Sequence, residues 1–214
     1  MIKTYNQIIQ NLKEENFSKI YLLMGEESFF INKISTFFEK KFIPSEHQSF
    51  NLETHYGRDT NIERILNSSK SFPMMSDKKL VIVKEAKELD VFKRSNDSKI
   101  ELLISYLNNI NMTTTLVFCL NNKSLDKRSK LFKAFLNVAT VLDSSSKENK
   151  IYDNQIPNFI SNEVKRNQFN IDQESVMLLS ESIGNNLDKI DNALNKIFSN
   201  KQDRNIITDD IIKL

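Results

Sequence analysis

The sequence predicts an α/β fold: a three-layer domain built on a mainly parallel sheet, followed by a small helical domain. Three observations carry this. Short apolar runs alternate with amphipathic helical patterns through the first 143 residues, the pattern of right-handed crossovers between parallel strands. Those runs (Ile20 to Leu23, Leu80 to Val83, Thr115 to Leu120, Ala139 to Leu142) are almost unbroken, as strands buried on both faces require. Beyond residue 143 every apolar pattern has helical spacing.

The chain is organised around KIYLLMGEESFFINKISTFF, residues 19–38. Apolar Ile20 to Leu23 runs through Met24 and Gly25 into an acidic turn, and Phe30, Ile34, Phe37 and Phe38 then recur at helical spacing. Strand, turn, helix is the arrangement of a phosphate-binding loop, in which free N–H groups at a helix N-terminus face an anion. The phosphate chemistry is missing. Gly25 is followed by Glu26, Glu27, Ser28 and Phe29, with no lysine for the outer phosphates and two carboxylates that repel them. Gly25, Glu26 and Glu27 therefore read as a degenerate nucleotide loop, and no cofactor is expected.

The remaining elements follow in order. Tyr5, Ile8, Ile9 and Leu12 share one face of a first helix over residues 4–15. After the long helix to Phe42, Pro44 breaks the pattern, and Gln48 to Thr54 is a second strand. Thr60-Asn61-Ile62-Glu63 fits a capping box that starts a short helix. Lys87 to Ser98 is charged and reads as a mobile connection. Helices over 99–110 and 127–136 separate the later strands. Ser144 to Lys150 is polar and reads as a linker, which places the domains at 1–143 and 144–214. The second holds helices from Ile156 to Asn167, from the cap Asp172 to Ile183, and from Leu187 to Phe198, with Gly184-Asn185-Asn186 as a helix-ending turn. Thr208-Asp209-Asp210 resembles the cap of a further helix.

Composition excludes several classes. The net charge of +2 argues against a protein devoted to coating nucleic acid. The single cysteine, Cys119, lies inside LVFCL and reads as a buried structural thiol. His47 and His55 have no ligand-spaced partners, so no metal site is expected. No apolar run approaches a membrane span and the N-terminus is not a signal peptide, so a cytoplasmic location is expected. No catalytic constellation is visible. The acidic pairs Glu26/Glu27 and Asp209/Asp210 stand at helix starts, where they favour the dipole.

Two clusters remain as candidate sites. Ser71-Phe72-Pro73-Met74-Met75-Ser76 sets three large apolar side chains around a proline, and one short turn cannot send all of them into one core. Either the methionines are exposed for a partner pocket, or Phe72 and one methionine pack beneath the sheet. Phe72 is assigned to the core. Lys123, Lys127, Arg128, Lys130 and Lys133 form a basic cluster with Asp126, either a solvated face or a contact for DNA phosphates or an acidic subunit.

Four blocks together, YLLMGEESFFINKI, SFPMMSDKKLVIVKEA, LVFCLNNKSLDKRSKLFKAF and the helical stretch from Ile156 to Ile197, resemble the delta subunit of bacterial DNA polymerase III, a clamp-loader subunit. The resemblance implies an AAA+-like first domain with a degenerate nucleotide site, then a helical lid. A C-terminal collar would follow, and as the sequence stops at Leu214 either the chain is truncated there or the collar is absent. It implies a protein that is no enzyme by itself but opens the sliding clamp (the beta subunit), gripping it through Met74 and Met75 beside Pro73. Other loader subunits, joined through the collar, and primed DNA would be partners, and no membrane. Lys123, Lys127, Arg128 and Lys130 would be DNA or subunit contacts. The rival readings are a divergent P-loop ATPase, which predicts nucleotide binding, and a general nucleic-acid-binding module, which predicts steeply salt-dependent DNA affinity.

Overall fold

The computed structural model describes residues 1–93, 97–200 and 206–207. Two compact units divide the chain, residues 1–149 and 150–214.

In the first unit, Thr4 caps α1 (Tyr5–Lys13) with a full capping box, its hydroxyl accepting from the Gln7 N–H. Strand β1 (Ile20–Gly25) is buried throughout and leads to α2 (Ser28–Lys41). The short α3 (Gln48–Asn51) runs directly into β2 (Leu52–Tyr56). Then come α4 (Ile62–Lys70), β3 (Lys79–Lys84), the short α5 (Asp90–Lys93), α6 (Asp97–Asn108), β4 (Thr114–Asn121), α7 (Lys130–Val138) and β5 (Ala139–Asp143). The five strands form one all-parallel sheet in the order β2-β3-β4-β1-β5.

Both sheet faces are covered, which is why the strands are apolar at consecutive positions rather than alternate ones. Leu22, Val81, Val83, Leu116, Phe118 and Val141 on one face pack with Ile65, Leu66, Leu103, Leu107, Phe132 and Phe135 from α4, α6 and α7. On the other face the Tyr21 ring meets Phe38 of α2 at 4.8 Å between centroids. Each fully buried side chain of this kind contributes about 1.5–3 kcal/mol.

Several expectations are corrected. Strand β2 begins four residues later than its pattern suggested, because Gln48 to Asn51 completes a helical turn. The cap of α4 is Asn61, whose side chain accepts from the Arg64 N–H at 2.9 Å, whereas the Thr60 hydroxyl is buried without a hydrogen-bond partner. The charged stretch after Lys87 is no mobile connection in its described part, since Leu89, Val91 and Phe92 enter the core. Phe92 meets Phe118 at 5.5 Å between ring centroids. The polar segment from Ser144 to Asn149 belongs to the first unit and is no linker. Ser144 and Asn149 are buried, and Asn149 accepts from the Tyr5 N–H and donates to the Asp143 carbonyl.

The second unit contains α8 (Ile156–Arg166), α9 (Gln173–Ile183, capped by Asp172) and α10 (Leu187–Asn200). Gly184 ends α9 at φ +73°. The core of this unit includes Ile156, Phe159, Ile160, Val164, Val176, Leu179, Leu187, Ile190 and Leu194. Two short strands unforeseen in the sequence, β6 (Asn170–Ile171) and β7 (Ile206–Ile207), pair in parallel. Asp209 and Asp210 lie outside the described residues.

Candidate functional site

Gly25 ends β1 with φ +124°, and the turn after it is closed by the chain's own groups. The Gly25 N–H donates to the Lys123 carbonyl at 2.9 Å. The Glu26 N–H donates to the Ser145 hydroxyl at 2.8 Å and the Glu27 N–H to the Ser144 hydroxyl at 3.1 Å. The Glu27 carboxylate turns back to accept from the Phe29 N–H. In a phosphate-binding loop these donors would face an anion. Here four of them are already satisfied, and the Glu27 carboxylate caps the helix N-terminus where a phosphate would stand.

Between α4 and β3 the chain makes an irregular turn whose apolar side chains point into solvent. Phe72, Met74 and Met75 are 78%, 58% and 86% exposed, and Pro73 is half-buried. Phe72, assigned above to the core, is thus outside it: α4 ends at Lys70, and the extended Ser71 cap leads the chain away before the aromatic ring can turn inward. The turn is nevertheless well anchored. Asn51, fully buried, accepts from the Met74 N–H at 2.7 Å and donates to the Met74 carbonyl at 2.8 Å. Buried Lys79 donates to the Ser71 hydroxyl at 2.5 Å and pairs with Glu53 at 2.6 Å. Desolvation opposes the charge on Glu53, but the Lys79 ammonium and a Ser68 hydrogen bond together hold its carboxyl below its ordinary range. Beside Met75, an open groove of about 760 Å³ is lined by Phe17, Phe42, Pro44, Lys41, His47 and Lys78 among others.

The basic cluster is brought together only in part and is largely neutralised. Lys127 pairs with buried Asp143 at 2.7 Å, Arg128 with Asp126 at 3.1 Å, and Lys130 with Glu101 of α6. Lys123 lends its backbone to the closed loop instead, bridging to Gly25. Burial pushes the Cys119 thiol up to about 12, which removes it as a nucleophile at ordinary pH.

Sequence reasoning missed Asn51, Ser144, Ser145 and the exposure of Phe72. The serines carried a signal, since three in succession after an apolar strand offer hydroxyls to neighbouring amides. Asn51 carried none.

Comparison with known proteins agrees with this architecture. Residues 21–145 match the family model "DNA polymerase III, delta subunit". The Bacillus subtilis DNA polymerase III subunit delta is 24% identical over 207 residues, an alignment covering 96% of this chain and 58% of the relative. The Bacillus subtilis DNA clamp loader delta protein superposes with a TM-score of 0.72 at 24% identity, covering 98% of this chain and 61% of that one, which supports the expected α/β fold. The chain thus spans about three-fifths of the length of these relatives. With more than half of its residues inside the family model, the chain belongs to the DNA polymerase III delta subunit family.

Proposed function

We propose that this chain binds the ring-shaped sliding clamp and helps to open it, without hydrolysing ATP itself. The observation that carries the reading is the anchored turn with Phe72, Met74 and Met75 in solvent. Apolar side chains on a fixed turn lose water when they enter a partner pocket, and unbranched thioethers adapt to its shape. Phe72 joins Met74 and Met75 beside Pro73 as part of the knob. The closed loop at Gly25, Glu26 and Glu27 supports the non-hydrolysing role, so the energy that exposes or withdraws the knob comes from ATP on partner subunits, by population shift. The second unit serves as the helical lid, and other loader subunits and primed DNA complete the assembly. The ion pairs of Lys127, Arg128 and Lys130 argue against independent DNA binding, and with Lys123 these residues are assigned to a subunit or DNA contact inside that assembly. Among the described residues no helix is long and apolar enough to cross a membrane, and the protein acts in the cytoplasm.

The test is binding to purified sliding clamp on a sensor surface. Met74→Ala with Met75→Ala is expected to weaken binding by about 2–4 kcal/mol while the circular dichroism melt is unchanged. In the same preparation ATP is expected to show no saturable binding. Undiminished clamp affinity in the double variant, or stoichiometric ATP binding, overturns the reading.

A further inference from the structure

An exposed apolar turn in water tends to collapse or to sample many conformers, and both weaken binding because the partner must then order it. Residues 71–78 form no helix and no strand before β3 begins, and Met75 has φ +53°, a left-handed conformation that a non-glycine residue holds only when its surroundings fix it. The contact nearest to it comes from a side chain at the junction of α3 and β2. The Asn51 carboxamide takes both backbone groups of Met74, as a neighbouring strand would, and its nitrogen also donates to the His47 carbonyl at 3.1 Å. Asn51 has no solvent exposure, yet Phe72, Met74 and Met75, the side chains of the turn it holds, add nothing to the core. A buried polar group spent in this way fixes a display rather than a core. From the far side Lys79 holds Ser71, and the Asn111 amide donates to the carbonyls of Ser69 and Lys70.

We infer that Asn51 is a positioning residue for partner recognition: it presents Met74 and Met75 to the clamp in a preset conformation. This rests on the clamp contact proposed above. The turn is then a rigid plug rather than a flexible one, and the left-handed Met75 belongs to the bound shape.

The test pairs hydrogen exchange with clamp binding in Asn51→Ala. The Met74 amide, protected in the native chain by its bond to buried Asn51, is expected to exchange at least about tenfold faster in the variant, while the amides of β3 and β4 keep their protection. Clamp affinity is expected to fall about tenfold or more, mainly through slower association. A simple loss of global stability would instead speed exchange in the strands as well and leave the affinity of the folded fraction unchanged. Asn51→Ser, which keeps a polar group in the buried site, carries the same expectation if the alanine variant does not fold. Native affinity in a variant whose Met74 amide has lost protection overturns the positioning role alone. Absence of clamp binding by the unsubstituted chain overturns the functional reading and this inference with it.

Discussion

Gly25 is where backbone chemistry and function meet at the level of one residue. A Cβ built there would lie 2.4 Å from the Ser144 hydroxyl oxygen and 2.7 and 2.8 Å from the backbone nitrogens of Ser145 and Ser144, and φ +124° is itself costly for any side chain. In a phosphate loop a glycine lets the backbone approach an anion. In this chain the close approach is made by residues 144–145, and the Ser144 N–H donates to the Met24 carbonyl at 2.8 Å as the two segments meet. Gly25→Ala is therefore expected to destabilise the first unit by about 2–3 kcal/mol, read from urea unfolding without added nucleotide. A glycine needed only for nucleotide access would accept alanine with little change in the stability of the ligand-free chain.

Among the elements, α4 separates what the sequence pattern implies from what the chain does. Thr60 and Glu63 satisfy the spacing of a capping box, but the observed cap is Asn61. Asn61→Ala is expected to lower stability by about 1 kcal/mol, and Thr60→Val to be neutral or stabilising because it removes a buried hydroxyl with no partner. Thermal melts of the two variants check this, and the reverse order would show that Thr60 carries the cap. The same contrast marks what was legible. Strands β1, β3, β4 and β5 were readable because burial on two faces leaves an unbroken apolar run, and α2 because Phe30, Ile34 and Phe38 repeat at helical spacing. Val91 and Phe92 were hidden by the charges around them, and β6 and β7 by being two residues each. Of the site, Met74 and Met75 were readable because adjacent large apolar residues beside a proline cannot all turn inward. Phe72 was misplaced because an aromatic ring is more often core, and Asn51 was invisible because its role depends on a turn 23 residues away.

At the scale of the whole molecule, a polar stretch that reads as a linker is part of what shapes the first unit. Ser144 and Ser145 fill the turn after β1, and Asn149 ties the start of α1 to the end of β5 through its two amide contacts. Composition could not reveal this, because hydroxyl and amide side chains that satisfy buried backbone groups look the same in a sequence as those that face water. The consequence is a boundary that can be measured. Residues 1–149 expressed alone are expected to fold and melt cooperatively, while residues 1–143 leave the amides of Glu26, Glu27 and Tyr5 without their partners. At about 1 kcal/mol for each lost bond and a few degrees per kcal/mol for a unit of this size, the shorter fragment should melt about 10 °C lower. Its loss of hydrogen-exchange protection should concentrate in the turn after β1 and at the first residues of α1. Equal melting temperatures for the two fragments would return the segment to the status of a tether, and would leave the amides of the turn open to the anion that such a loop ordinarily holds.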